Sequence, residues 1–461
     1  MNATTESSLP LRAVALAETL LREAAADATL AERWQAWKLS RMMEDPQGKL
    51  TTLLLTDQVF RFPTDAQKAQ RLRDIVDEHG APEYLPIWER AMMNIGAAAS
   101  ALAPEIVMPL VEKKMRLESA KVVLPGEDKP LHKHLTKRRR NGMKMNLNQL
   151  GEAILGEEEA AHRLQTNLAR LADPLCEYIS VKISAIFSQI HLIAVDDTIA
   201  AIKERLRLLY RAAMTHRIAA TGEAKFVNLD MEEYRDLRLT CRAFMEVLAE
   251  PEFHSLEAGI VLQAYLPDSY HAQQELTQWA MDRVSRGGAG IKVRIVKGAN
   301  LAMEQVEASL HDWEQAPYRS KHEVDANFKR MLDYGCQPAH AKAVRLGVAS
   351  HNLFDVAYTL LLREERGVEN RVELEMLEGM ANHQARIARK HAKGLLLYAP
   401  VVRYEDFSSA ISYLVRRLDE NTAEENFLRD LFGMKPGDEK WDRQRERFLR
   451  ACEDQQTIGE Q

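Results

Sequence analysis

A chain of 461 residues, 46% hydrophobic and 28% charged, has the length for a large barrel with an accessory region and enough apolar residues to fill its core. Its formal net charge of -6 argues against a general nucleic-acid binder, whose affinity rests on neutralising phosphates. Its four cysteines, Cys176, Cys241, Cys336 and Cys452, form no CxxC pair, so neither a zinc ribbon nor a redox dithiol is suggested, and so few fit a reducing compartment.

The first ten residues, "MNATTESSLP", lack a basic segment followed by an apolar one, and no apolar run reaches membrane-spanning length. A soluble cytoplasmic protein is the expectation. Residues 1–140 then read as helix after helix, an accessory arm. "LPLRAVALAETLLREAAADA" and "EYLPIWERAMMNIGAAASALAPEIVMPLVEKKMRLES" carry apolar residues at helical spacing. "TLAERWQAWKLSRMM" opens with Thr29 as a cap and Glu32 three residues on. "HKH" (132–134) reads as a loop, not a metal site. The basic run "KRRRNGMK" (137–144) reads as a solvated turn, because its surroundings mix both charges.

After Gly142 short apolar runs alternate with helical stretches. The runs are "MKMNLNQ" (143–149), "YISVKISAI" (178–186), "KFVNLD" (225–230), "GIVLQAY" (259–265), "IKVRIVKG" (291–298), "RLGVASH" (345–351), "VELEML" (372–377) and "LLLYAP" (395–400). Eight strands, each followed by a helix, predict a (β/α)8 barrel over 141–427, with 428–461 as a polar helical tail. A doubly wound sheet would want G-x-G-x-x-G after a strand, but "RGGAGIKV" (286–293) precedes one. No Walker A motif is present. The eighth helix is "ISYLVRRLDEN" (411–421). Ile411, Leu414, Val415 and Leu418 share one face, expected to pack on the barrel. Tyr413, Arg416, Arg417 and Glu420 share a face about 200° away.

Polar residues within or ending the strand runs are costly in a barrel unless paired or used. They are Asn146, Gln149, Lys182, Asp230, Gln263, Arg294, Lys297, Ser350, His351, Glu373, Glu375 and Tyr398. So many across the runs predict a polar ligand site at one mouth. No H-E-x-x-H and no G-x-S-x-G occurs, so neither a zinc protease nor a nucleophile elbow is expected. Lys182, Arg294, Arg416 and Arg417 suit a small carboxylate substrate together with a phosphate-bearing cofactor. A Schiff-base aldolase using the Lys182 amine also fits this pattern, and a flavin barrel reductase is a further alternative that lacks a reason for the paired arginines.

The ordered segments "LGEA" (150–153), "SVKISAI" (180–186), "VNLDMEE" (227–233), "VLQAY" (261–265), "VRIVKGA" (293–299), "ASHN" (349–352), "EMLEGM" (375–380), "LYAP" (397–400) and "YLVRRLDEN" (413–421) resemble the proline dehydrogenase domain of the bifunctional proline utilization A family. The resemblance implies a distorted (β/α)8 barrel binding FAD and oxidising L-proline to Δ1-pyrroline-5-carboxylate, the first step of proline catabolism to glutamate. It implies a membrane quinone as electron acceptor, hence peripheral contact with the inner membrane, and a semialdehyde dehydrogenase domain in cis or trans. Arg416, Arg417 and Lys182 would bind the proline carboxylate. Leu377, Tyr398 and Tyr413 would wall the ring, Asp230 would position its neighbours, and Glu152 would pair with Arg416 as a gate. Arg294 would approach the flavin, with Asp230, Gln263, Val296, Lys297, Gly298, Ala299, His351, Asn352 and Glu420 contributing further contacts. Asn300 stands where many relatives carry tyrosine. No Rossmann fingerprint or catalytic-cysteine loop of a semialdehyde dehydrogenase is seen, and the tail looks like the start of a connection onward.

Overall fold

The computed structural model describes residues 8–151, 156–422, 426–431 and 433–459, without the side chains of 408–409 and 419–422. Eight parallel strands form a closed barrel: β1 (Lys144–Gln149), β2 (Tyr178–Lys182), β3 (Phe226–Asp230), β4 (Gly259–Gln263), β5 (Ile291–Val296), β6 (Val344–Ala349), β7 (Val372–Leu377) and β8 (Leu396–Val402). β8 pairs with both β7 and β1, which closes the ring. Each strand falls on a predicted run. A two-residue pairing of Leu124–Pro125 extends β8 at Val401 and Val402.

The runs become strands because helices cover the barrel outside while side chains fill it within, so both faces are buried. In β5, Ile291, Val293 and Ile295 are fully buried toward the helices. Lys292 and Arg294 alternate with them and point inward, where they meet acids of β3 and β7. The second run ends early. Ile183–Ile186 turns into a short helix at the mouth.

Two local readings are corrected. "HKH" lies in the helix Asp128–Arg140, where His132 bonds Asp173 at 2.8 Å and His134 lies 3.5 Å from Glu378. The basic run closes this same helix. Arg138 pairs with Glu378 and with Asn382 at 2.7 Å, and Arg139 with Glu177 at 2.5 Å. Cations at a helix C-terminus are favoured by its dipole, and the matching acids make this a structural seam. Thr29 and Glu32 form the expected capping box.

The opening helix Leu9–Asp27 buries Ala13, Ala17, Leu20, Leu21 and Ala24 in the barrel's own core, against helices Leu353–Glu365 and Asn382–Ala392. The closing helix Glu439–Asp454 does likewise. Phe354 lies 4.7 Å from Trp441 and 5.5 Å from Phe448, ring centre to ring centre. Between them in sequence, Val59, Leu72, Ile75, Val76 and Met108 make a separate small core within the arm.

The arm also reaches the last barrel helix, Phe407–Thr422. Leu418 packs with Met42, Tyr84 and Leu85, while Leu414 and Tyr413 pack near Met115 and Val123. Arg116 stacks 3.4 Å over the Tyr404 ring and donates to the Tyr404 carbonyl at 2.8 Å. The apolar seam expected on the barrel alone is therefore shared. Ile411 turns to the buried interior and Leu418 to the arm.

Candidate active site

A cavity of about 380 Å³ opens at the C-terminal mouth of the barrel, within the size range of small-molecule sites. Every strand but β1 sends a predicted site residue, or the residue just after it, into this cavity. Lys182, Asp230, Gln263, Arg294, Val296, His351, Leu377 and Tyr398 line it, together with Lys297, Gly298, Ala299 and Asn352. Tyr413, Arg416 and Arg417 enter from the last helix. Glu152 and the side chain of Glu420 lie outside the described residues.

The floor is a paired-charge network. The Tyr398 hydroxyl donates to Asp230 at 2.7 Å, and Asn228 donates to the other Asp230 oxygen at 3.0 Å. Arg294 lies 4.5 Å over the Tyr398 ring, 3.6 Å from Asp230 and 2.7 Å from Glu375. Lys292 holds Glu375 at 2.6 Å and Glu373 at 2.8 Å. Burial pushes the Tyr398 phenol well up, and the Asp230 carboxylate pushes it further, so it stays a protonated donor. Burial alone would weaken the Arg294 charge, but Glu375 and Asp230 outweigh it.

At the rim, Lys182 donates to Glu232 at 2.6 Å, and Ser184 takes the other oxygen. Burial raises the Glu232 carboxyl, but Lys182, Ser184 and Arg416 together hold it below its usual value. Arg416 donates to the Asn300 side-chain oxygen Oδ1 at 3.2 Å, and the Asn300 Nδ2 donates to the Glu232 backbone carbonyl at 2.6 Å. Arg417 lies 5.2 Å from the Tyr413 ring.

His351 is pressed down to about 4 by burial and by the Arg417 charge, so it is neutral at neutral pH. Its Nε2 accepts from the Leu377 amide at 2.9 Å, which leaves Nδ1 as the protonated nitrogen. That buried Nδ1 has no hydrogen-bond partner among the described residues, and neither has the buried Oε1 of Gln263. A buried donor and a buried acceptor left open beside a cavity call for a ligand with both kinds of polar edge.

Past β5 and β6 a cluster of lysines and aspartates adjoins the cavity. Lys297 lies 2.6 Å from Asp325 and 2.7 Å from Asp355. Lys321 pairs with Asp325 at 2.6 Å, and Lys329 with Asp355 at 2.5 Å. Three lysines over two aspartates leave one positive charge in excess, suited to a phosphate. Asn352 uses its side-chain oxygen to cap the helix Leu353–Glu365, accepting from Phe354 at 2.9 Å. Gly298 turns the chain at φ +102°, where a Cβ would run into the Tyr265 ring. Among the described residues no cluster of His, Cys, Asp or Glu could hold a metal.

Sequence reasoning missed Glu232, Asp325, Asp355, Lys321 and the bridging role of Asn300. Glu232 carried a signal, an acid just past the end of β3 in "VNLDMEE". Asp325 and Asp355 sit on helices, where a lone acid reads as surface.

The proline dehydrogenase family model matches residues 131–430, more than half of the chain. Hydroxyproline dehydrogenase of Bos taurus is 29% identical over 215 residues, covering 45% of this chain and 45% of that protein. The structure of proline utilization A from Corynebacterium freiburgense is 43% identical over 82% of this chain and 36% of its own, with a TM-score of 0.68. That of proline utilization A from Bdellovibrio bacteriovorus, inactivated by N-propargylglycine, is 26% identical over 97% of this chain and 44% of its own, with a TM-score of 0.77. This chain thus spans less than half the length of each.

Proposed function

The chain belongs to the proline dehydrogenase family, and we propose that it oxidises L-proline to Δ1-pyrroline-5-carboxylate with FAD as cofactor. The observation that carries this reading is the convergence of Lys182, Arg416 and Arg417 on one rim of the cavity, above a buried and fully charged Arg294.

Two guanidinium forks and an ammonium give charge-assisted hydrogen bonds to the substrate carboxylate. They fix the ring against Tyr398, Leu377 and Tyr413, and such positioning is a large share of catalysis. Asp230 holds the Tyr398 ring by its hydroxyl and helps hold Arg294. Glu152 would exchange with the substrate for Arg416.

The open polar atoms suit FAD. His351 Nδ1 would donate to it, Gln263 Oε1 would accept from it, and Val296, Gly298 and Ala299 would let it approach the backbone. Lys297 and the Asn352 helix terminus would serve its phosphates, and Glu420 would give a further contact. When bound, FAD supplies a two-electron acceptor for the hydride on the ring carbon next to nitrogen. Arg294 would offer a fixed positive charge where negative charge develops.

We infer further that a membrane quinone reoxidises the cofactor, that the protein works in the cytoplasm with peripheral membrane contact, and that a semialdehyde dehydrogenase in cis or trans takes the product onward. Among the described residues no helix is long and apolar enough to cross a membrane. Anaerobic titration with L-proline tests the reaction. The flavin band near 450 nm is expected to bleach, and a band that stays intact with FAD bound overturns the reading. The Asn300 amide in the cavity wall makes 4-hydroxyproline the second compound to titrate.

A further inference from the structure

Asn300 occupies the N-cap position of the helix Leu301–His311. An asparagine there ordinarily accepts a hydrogen bond from the first helical turn. Asn300 makes no such bond. It is 6% exposed, and its amide is spent elsewhere. Nδ2 donates to the Glu232 carbonyl at 2.6 Å, and Oδ1 accepts from Arg416 at 3.2 Å. The Glu232 side chain in turn takes Lys182 at 2.6 Å and Ser184. Lys182 stands at the end of β2 and Arg416 on the last barrel helix. Glu232, just past the end of β3, and the Asn300 amide, past the end of β5, therefore tie together two cations that come from distant parts of the chain.

We propose that Asn300 is a positioning residue that sets the Arg416 guanidinium for the substrate carboxylate, with Glu232 as the fixed point for both Arg416 and Lys182. A guanidinium on a long side chain loses much of its freedom on binding an anion. Holding it in advance by the Asn300 oxygen removes part of that cost and leaves its other N–H groups for the ligand. The forgone helix cap is the local sacrifice that the arrangement makes. The proposal rests on the reading of Arg416 as a carboxylate ligand, so its test is kept apart from turnover.

The test measures binding of cyclopentanecarboxylate, which has the proline ring shape and carboxylate but no nitrogen to oxidise, to the FAD-loaded protein by calorimetry. In Asn300→Leu, a near-isosteric change that keeps the packing, the dissociation constant is expected to rise about tenfold. Asn300→Gln keeps a donor and an acceptor and is expected to return it to within about threefold of the wild type. In an Arg416→Met background, Asn300→Leu is expected to add less than about twofold, because the residue it acts through is gone. Flavin content and melting temperature are recorded for each variant. The proposal is overturned if Asn300→Leu binds as the wild type does, if Asn300→Gln is as weak as Asn300→Leu, or if the tenfold loss persists without Arg416. Should proline fail to reduce the flavin while these differences hold, the reaction assignment falls and the positioning role stands.

Discussion

Asp355 is completely buried and accepts from Lys329 at 2.5 Å, Lys297 at 2.7 Å and Ser350 at 3.1 Å. Asp355→Asn preserves shape and removes one charge. The local balance of three lysines against two aspartates then becomes three against one. Lys297 keeps Asp325 at 2.6 Å, but Lys329, only 1% exposed, loses its carboxylate. Removing one partner of a buried pair costs about 3–5 kcal/mol, because the remaining charge is stranded. Equilibrium unfolding in guanidinium, followed by tryptophan fluorescence, reads this directly. Trp441 lies 4.7 Å from the Phe354 ring, beside Asp355, and is buried. Asp355→Asn is expected to shift the barrel transition by that amount. Adding Lys329→Met is expected to recover most of it, since it removes the buried charge that Asp355→Asn strands. A single-variant loss under about 1 kcal/mol, or a double variant no better than the single, would refute the charge balance drawn above.

Arg417→Met is expected to raise the KM for proline by at least about tenfold with flavin content kept, and an unchanged KM places the carboxylate elsewhere. His351 titrates at about 4 in the folded chain against 6.5 in a free histidine, so the unfolded state binds its proton first as pH falls. Its contribution, on the order of 3 kcal/mol, is therefore complete above pH 6.5 and is lost as pH falls through about 4. The stability difference between wild type and His351→Gln should shrink over that window, and a pH-independent difference contradicts it. Gly298→Ala forces a side chain into φ +102° and against the Tyr265 ring. Strain and overlap together predict a loss of about 2 kcal/mol or more, read as a lower melting temperature and reduced flavin content.

The strands were legible because a parallel barrel needs short runs buried on both faces, and the spacing of polar intruders marked its mouth. Lys182, Arg294 and Tyr398 stand out in such runs because a charge or hydroxyl among valines and isoleucines demands a reason. The lysine–aspartate cluster was not legible. Asp325 and Lys329 stand four apart on one helix, the spacing of a common surface pair, and nothing in that spacing tells that the whole face is buried. The place of the opening helix was equally hidden. Its alanine-rich face fits any close helix contact, and only the closed barrel shows that the partners are more than 300 residues away in sequence. "HKH" was misread for a similar reason, since a helix of mostly basic residues is unpersuasive until its acids at Asp173 and Glu378 are in view.

The contact between the arm and the last barrel helix has a thermodynamic corollary. The helix that presents Arg416 and Arg417 keeps Leu418 among Met42, Tyr84 and Leu85. If substrate binding tightens that helix, it also tightens the arm, and the coupling free energy is the same in both directions. Loosening the arm by heat, denaturant or truncation would then weaken the hold on a small carboxylate many residues away. A bound carboxylate would in return slow hydrogen exchange in the arm, none of whose described residues lines the cavity. Seen so, the accessory helices form a thermodynamic reservoir on which the affinity of the site can draw.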